Sequence, residues 1–79
     1  MQSILRLPQI KARIGKARSS IYADIRAGLF THSLPIGFRA VGWPSSEVDA
    51  LINARIAGKS DDEIRTLVMK LEEARKKAA

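Results

Sequence analysis

Residues 8–27 read PQIKARIGKARSSIYADIRA, and this stretch decides the fold. Isoleucines recur four residues apart in each half, which is the spacing of one helix face. We predict a short first helix over about Pro8–Ile14, with Pro8 in its first turn, and a second helix over about Arg18–Ala27. Only Gly15–Ala17 separate the two helices. Two short helices joined by a glycine-containing turn of three or four residues are typical of a helix-turn-helix.

The following stretch, residues 34–43 with the sequence LPIGFRAVGW, has the composition of a β-hairpin. Its β-branched and aromatic residues surround a turn centred on Gly37, with strands expected near residues 33–36 and 40–43. Pro35 has no backbone N–H to donate, so its strand is expected at the edge of the sheet.

A two-stranded hairpin is not stable alone, so this hairpin must lean on the helices. Val41 and Trp43 are the expected anchors. A brief strand is also expected before the first helix, within residues 4–7. A helix, a turn, a helix and then a hairpin predict a winged helix-turn-helix, a mainly α fold with a small β-hairpin that acts as the wing.

Two further helices are predicted after the hairpin. The third begins with Ser45 or Ser46 as its N-cap. Its expected apolar face consists of Val48, Leu51, Ile52 and Ile56. Ser60–Glu63 fits a capping box at the start of the fourth helix. The apolar stripe of that helix consists of Ile64, Leu67, Val68 and Leu71. We therefore expect a winged-helix domain at residues 1–58 and an amphipathic helix at residues 59–79, which either extends the core or forms a homodimer.

The charge of the chain is distributed unevenly. The 79 residues include 14 basic and 8 acidic side chains, for a net charge of +6. Residues 1–43 contain seven basic residues and one acid, Asp24, whereas residues 44–79 contain seven of each. A positive excess in one half of a small protein favours a polyanionic partner such as nucleic acid. The lack of cysteine excludes disulfides and Cys-ligated zinc, and it suits a reducing cytoplasm.

Four short runs make the sequence similar to the AlpA family. They are LRLP at residues 5–8, RSSIY at residues 18–22, RAVGW at residues 39–43 and SEV at residues 46–48. The resemblance extends over about residues 4–56, and the second and third runs at this separation are its most specific part. It implies a small phage- or prophage-associated transcriptional regulator, related to excisionases and to the MerR-like winged-helix group.

The sequence departs from the AlpA pattern at three places. Ala17 stands where the family usually has a Ser or Thr as N-cap of the second helix, and such a loss costs about 1 kcal/mol of local stability. Lys16 replaces a residue that is usually apolar. Leu51 or Ile52 occupies a position where a tryptophan is common. The tail from Lys59 onward lies outside the family's core.

A helix-turn-helix places the first turns of its second helix against base edges in the major groove. Here those turns carry Arg18, Ser19, Ser20 and Tyr22. Arg26 is expected to contact phosphate, and Arg39 on the wing to reach the minor groove or its flanking phosphates. Arg13 and Lys16, at the helix junction, would add sequence-independent attraction to phosphate. The alternative for each is an ordinary solvated side chain, and for Tyr22 a place at the edge of the core.

Other classes of site find little support in the sequence. His32 is the only histidine, and the sequence offers no set of metal ligands near it. The sequence also offers no general base that would activate a serine as a nucleophile. We expect no enzymatic activity, cofactor, metal or membrane segment, and we expect every glycine at a turn or a helix end. Asp24 would be repelled by DNA, so it is expected to face away and pair with a nearby arginine.

Three functions are consistent with these features. The leading hypothesis is a sequence-specific transcriptional regulator that binds double-stranded DNA in the cytoplasm, at the nucleoid. The second is an excisionase-like architectural factor that bends DNA beside a site-specific recombinase, which would then be a partner. The third is a protein-interaction module that uses the stripe of the fourth helix. Strongly salt-dependent binding to duplex distinguishes the first two from the third.

Overall fold

The computed structural model describes residues 3–77. Its elements in chain order are β1 (Ile4–Leu5), α1 (Leu7–Ile14), α2 (Arg18–Arg26), β2 (Leu34–Gly37), β3 (Ala40–Pro44), α3 (Ser45–Ile56) and α4 (Asp61–Lys77). The pair α1–α2 followed by the β2–β3 hairpin is a winged helix-turn-helix, and α4 is an additional C-terminal helix. The predicted element order is confirmed, including the short first strand.

Local signals account for the turn between α1 and α2. Gly15 ends α1 with a φ of 66°, in the left-handed region that favours glycine, and its N–H donates to the carbonyl of Lys11. Pro8 lies in the first turn of α1, where no helical hydrogen bond needs its N–H. Ala17 is the N-cap of α2 and makes no side-chain cap hydrogen bond, as expected for alanine at that position.

The three strands form an antiparallel sheet in the order β1–β3–β2. Pro35 lies on the edge strand β2, as predicted. The turn of the wing is not centred on Gly37, because Gly37 still pairs with Ala40 after an irregularity in the strand register. Phe38 and Arg39 form the turn instead, with Arg39 in the left-handed region at a φ of 56°.

Trp43 of β3 lies at the centre of the core and is fully buried. Its Nε1 donates to the carbonyl of Thr31 at 2.8 Å, and its ring centroid lies 6.0 Å from that of Phe30. Trp43 is therefore an anchor of the wing, as predicted. Val41 is not, because it lies two residues closer to the tip and is 38% exposed. The buried apolar residues are Leu5, Ile10, Ile21, Phe30, Trp43, Val48, Leu51, Ala54, Ile64 and Val68.

Gly42 is neither at a turn nor at a helix end, contrary to the sequence expectation. It is buried within β3. A Cβ built on it would lie 2.5 Å from Cγ2 of Ile4 and 2.9 Å from the carbonyl oxygen of Leu5. Glycine at this position therefore lets β1 approach the central strand closely.

The start of α3 also differs from the prediction. Pro44 rather than a serine is the N-cap, and it makes no side-chain cap hydrogen bond. Ser45 is instead the first helical residue and is buried. Its N–H donates to the carbonyl of Ser3 at 2.7 Å, and its Oγ accepts the N–H of Ser3 at 2.9 Å. The hydroxyl joins two segments that are distant in sequence, so it is not available as a local cap.

The buried face of α3 is formed by Val48, Leu51 and Ala54, with Ile52 partly buried. Ile56, which was expected on this face, is 79% exposed. At 100° per residue, Ala54 lies about 60° from Leu51 around the helix axis, whereas Ile56 lies about 140° away. The last isoleucine of α3 therefore faces away from the core.

The predicted capping box of α4 is confirmed. The N–H of Ser60 donates to Oε1 of Glu63 at 3.0 Å, and the N–H of Glu63 donates to Oγ of Ser60 at 3.2 Å. The hydrogen bonds from the backbone and side chain of Ser60 lower the pKa of the Glu63 carboxyl. The helix thus starts where its local sequence indicates.

The apolar stripe of α4 packs against the core of its own chain. Ile64 and Val68 are buried, and Leu67 and Leu71 are partly buried against the same cluster. The role of α4, as a core extension or as a homodimer contact through these four side chains, stays a prediction.

Polar contacts fasten α4 to α3 and to the segment that precedes the wing. Arg75 binds Glu47 through two nitrogens, one of them Nε at 2.7 Å from Oε2, and donates from Nη2 to the carbonyl of His32. Oε2 of Glu72 accepts the backbone N–H of His32 at 2.7 Å and lies 2.8 Å from its Nδ1. None of these contacts was predicted from the sequence.

The contacts of Glu72 predict a pH dependence of stability. Burial alone would raise the pKa of this carboxyl, but the hydrogen bonds and charge of His32 and the charge of Arg75 outweigh burial and lower the pKa from its ordinary value of 4.5. The stabilisation is therefore complete above pH 4.5 and is lost as the pH falls through the lowered value. We expect Glu72→Gln to cost about 1 kcal/mol or less at neutral pH and nothing at low pH, measured by urea unfolding at both.

Glu73→Gln is the matched control for this prediction. Glu73 is the next residue on α4, is exposed, and has no hydrogen bond or ion pair with any residue in 3–77. Its substitution should leave the pH profile of the free energy of unfolding unchanged. A Glu72→Gln profile that runs parallel to that of the native chain would show that the His32 contact contributes no net stability.

Candidate nucleic-acid interface

The first turn of α2 presents three polar side chains to solvent. Arg18, Ser19 and Ser20 are exposed, whereas Ile21, the next residue, is fully buried. Ile21 thus fixes the rotation of α2, and the three polar residues project from its N-terminal end. This is the part of a recognition helix that meets base edges in a helix-turn-helix complex.

Arg18 and Tyr22 form a pair on the surface of α2. They are four residues apart, and the guanidinium carbon of Arg18 lies 5.5 Å from the centroid of the Tyr22 ring. Tyr22 is half-buried, and its ring lies beside the guanidinium of the arginine. The two interpretations of Tyr22, as core edge and as part of the interface, both stay predictions.

Two of the predicted phosphate contacts are already in ion pairs. Nζ of Lys16 lies 2.6 Å from Oδ2 of Asp24, and Nη1 of Arg13 lies 3.1 Å from Oδ1 of Asp49. The partner of Asp24 is thus a lysine and not the predicted arginine. Asp24 is the only acid in residues 1–43, and its pairing with Lys16 offsets the carboxylate charge that α2 would otherwise show to a polyanion.

Three arginines carry charge that is not paired in this way. Within residues 3–77, Arg18, Arg26 and Arg39 form no ion pair, and all three are exposed. Arg18 and Arg26 lie at the two ends of α2, and Arg39 lies in the turn of the wing. Among the predicted contacts, the exposed charge without an ion pair is therefore divided between the second helix and the wing.

The tip of the wing carries an aromatic residue that the sequence analysis did not identify. Phe38 is 91% exposed, and the guanidinium carbon of Arg39 lies 5.2 Å from the centroid of its ring. A phenylalanine beside an arginine in a predicted hairpin turn is a signal that could have been used, because a turn at the tip of a hairpin has no core to receive an aromatic ring.

Comparison with known proteins adds to this geometry. Residues 3–56 match the sequence model of the family described as Prophage CP4-57 regulatory protein (AlpA). The chain belongs to this family. A protein of Enterobacteria phage P4, described as Uncharacterized protein ORF88, is 40% identical over 58 residues. The match covers 73% of the chain and 66% of that relative. No solved structure shows significant similarity.

The AlpA match ends where α3 ends, at Ile56. It includes the exposed turn of α2 and the whole wing, and it leaves out α4. Arg65 of α4 nevertheless donates from Nε to the carbonyl of Ala27 at 2.9 Å, at the end of α2. The additional helix thus supports the AlpA segment from outside the family match.

Residues 3–77 hold no group of three or more His, Asp or Glu side chains placed to bind a metal ion. In the same range, no helix has both the length and the apolar character that crossing a membrane requires.

Proposed function

We propose that this AlpA-family chain is a sequence-specific transcriptional regulator that binds double-stranded DNA through α2 and the wing. The observation that carries the proposal is the exposed N-terminal turn of α2, where Arg18, Ser19 and Ser20 project beside a buried isoleucine. In this arrangement α2 enters the major groove, and the wing lies along the flanking phosphates or the minor groove.

The proposed roles follow from the chemistry of each side chain. Arg18 carries a planar fork of donors that fits O6 and N7 of guanine, and Tyr22 beneath it restricts its orientation. Ser19 and Ser20 bind phosphate or base edges, and Tyr22 adds a phosphate contact through its hydroxyl. Arg26 and Arg39, as exposed cations, bind phosphate.

Arg13 and Lys16 have a conditional role in the proposal. Each already has a carboxylate partner, so each must exchange that partner for a phosphate when DNA binds. Both ion pairs are substantially exposed, and pairs of this kind contribute about 0.2–1 kcal/mol. The exchange therefore costs little, and both cations can still add to the attraction between the helix junction and DNA.

We also propose a division of labour along the chain. Residues 1–58 form the DNA-binding domain, and residues 59–79 act as an extension of its core. The support for the second part is the burial of Ile64 and Val68 and the ion pair between Arg75 and Glu47. No contact to DNA is assigned to α4.

Substitution of Arg18 tests the proposal most directly. On a duplex selected from a random-sequence pool, Arg18→Ala should weaken binding by about 1–3 kcal/mol, because the guanine contact is lost. On random duplex the loss should be small. Arg26→Ala should weaken binding to both duplexes alike, because phosphate contacts carry no sequence information. Lys70→Ala, which removes an exposed cation from α4, should change neither.

Salt dependence is measured in the same titrations. Two phosphate contacts, by Arg26 and Arg39, predict that log K falls with log salt at a slope of about −1.8, and four, with Arg13 and Lys16 included, predict about −3.6, at about −0.9 per contact. The Arg26→Ala variant should reduce this slope by about 0.9. Binding that does not respond to salt would contradict the proposed function, and equal losses on both duplexes for Arg18→Ala would reduce that residue to a phosphate contact.

A further inference from the structure

The aromatic side chains of this protein differ widely in how far they are buried. Trp43 and Phe30 are buried in the core, and Tyr22 is half-buried under Arg18. Phe38 is 91% exposed. Its neighbours on the wing, Ile36 and Val41, are 43% and 38% exposed. The most exposed apolar ring therefore stands at the far end of the wing, and packing within the chain does not explain its position.

The backbone holds this ring in a defined place. Gly37 pairs with Ala40, so Phe38 and Arg39 alone form the turn. Arg39 adopts a φ of 56°, which a residue other than glycine rarely does, and its guanidinium lies over the ring of Phe38. The tip thus presents an apolar ring and a cation together on a two-residue turn.

The charge around the tip favours a polyanion. From Ile25 to Ser46 the chain contains no Asp or Glu, and Arg39 lies in the turn itself. A partner that offers both negative charge and flat apolar surfaces would satisfy the cation and the ring at once. Duplex DNA supplies the negative charge in its phosphates, and the faces of its bases become available where a base step is partly unstacked.

We propose that Phe38 is a wedge that inserts its ring at a base step of duplex DNA, while Arg39 binds the adjacent phosphate. Proteins that insert apolar side chains from the minor groove partly unstack a step and kink the duplex. The wing would then bend DNA at a point that α2 does not reach. This proposal rests on the proposed function, because it requires that the chain binds duplex.

A second copy of the chain is a weaker candidate for the partner. An aromatic side chain buries about 150–250 Å². A stable interface between proteins buries about 1,200–2,000 Å² in total. The tip of a two-residue turn offers too little surface to reach that range. Insertion into DNA needs no more than the ring itself, because the remaining affinity comes from contacts made elsewhere.

The test compares Phe38→Ala with Phe38→Leu and with Met69→Ala on the selected duplex. Met69 is the matched control, because it is 71% exposed but lies on α4. Bend angle is measured by fluorescence energy transfer between the duplex ends, and unstacking by 2-aminopurine placed at successive steps flanking the α2 site. The native chain should bend the duplex and raise the fluorescence at one step.

The expected result is that Phe38→Ala weakens binding about tenfold, reduces the bend and abolishes the fluorescence rise. Phe38→Leu, which keeps an apolar wedge, should retain most of the bend, and Met69→Ala should behave as the native chain. Because Phe38 is exposed, its variants should melt at the native temperature, so the loss is not one of folding. An unchanged bend and fluorescence for Phe38→Ala, with binding still salt-dependent, would overturn the wedge alone.

Two further outcomes would lead to different conclusions. If neither the native chain nor any variant binds duplex, the proposed function itself is wrong and the wedge falls with it. Sedimentation without DNA covers the remaining alternative. A concentration-dependent dimer that is lost in Phe38→Ala but kept in Met69→Ala would assign the ring to self-association and would overturn the wedge.

Discussion

Replacement of Trp43 by alanine is expected to destabilise the domain by about 3–5 kcal/mol. The side chain is fully buried, so the substitution leaves a cavity between Phe30 and the helices. It also leaves the carbonyl of Thr31 without the donor that now lies 2.8 Å away. Small domains have total stabilities near the low end of about 5–15 kcal/mol, so the variant should be largely unfolded at 37 °C.

Thermal unfolding followed by circular dichroism measures this effect. A loss of 3 kcal/mol in a domain of this size corresponds to a fall in Tm of at least about 12 °C. The Tm of Trp43→Phe should lie between those of the native chain and of Trp43→Ala, because this variant keeps an aromatic ring beside Phe30 but has no indole N–H. Phe38→Ala is the control, since it also removes an aromatic ring but from an exposed site. A Trp43→Ala variant with the native Tm would refute the assignment of Trp43 as the anchor of the wing.

The second large effect is expected at the ion pair between α3 and α4. Glu47 is buried and Arg75 nearly so, with side-chain exposures of 6% and 18%. Arg75→Ala would leave the carboxylate of Glu47 inside the protein without its counter-charge, and would also remove a donor to the carbonyl of His32. Removal of one partner of a buried pair costs about 3–5 kcal/mol, and the partial exposure of Arg75 places the expected value near the lower end.

Arg55→Ala provides the comparison at an exposed pair. Arg55 pairs with Asp61 at 3.4 Å, with both side chains largely exposed, so its loss should cost about 0.2–1 kcal/mol. The double substitution of Glu47 and Arg75 by leucine should recover much of the stability, because no unpaired charge remains buried. Urea unfolding measures the change in the free energy of unfolding for all three variants. Equal and small effects of Arg75→Ala and Arg55→Ala would show that α4 is not part of the cooperative core.

Features that depend on neighbours in sequence were predicted well. The stop at Gly15, the proline in the first turn of α1 and the capping box at Ser60 each rest on groups a few residues apart. The physical reason is that such hydrogen bonds and dihedral preferences form whatever the rest of the chain does. Trp43 was also predicted, because a large aromatic ring in a small domain has few places other than the core.

The sequence predictions were wrong where a contact with residues distant in sequence overrode a local preference. Serine is a common N-cap residue, but the hydroxyl oxygen of Ser45 accepts a hydrogen bond from the N–H of Ser3, 42 residues away in sequence. Ile56 has the hydrophobicity of a core residue, but the rotation of α3 turns it outward. Gly42 reads as a turn residue, yet its place in β3 is required by the approach of β1. In each case the deciding neighbour is not adjacent in sequence.

The candidate interface divides in the same way. The sequence alone indicated the exposed residues of α2 and the arginine of the wing, because a helix-turn-helix pattern fixes which end of the second helix is presented. It could not show that Lys16 pairs with Asp24, or that Arg18 rests on Tyr22. Those pairings depend on side-chain geometry, which decides how much of the positive charge is ready to meet a phosphate.

The sequence by itself determined the order of elements, their approximate bounds and the family, because periodicity, caps and short motifs are local properties. Only the tertiary structure decided that the stripe of α4 lies in the core of its own chain, that Arg75 is held against Glu47, and that Phe38 has no packing partner in the core. The chemical type of a side chain, apolar or charged, determines which kind of partner would stabilise it. Which partner it meets depends on how the elements are arranged around the buried Trp43, and that arrangement is a property of the whole folded chain.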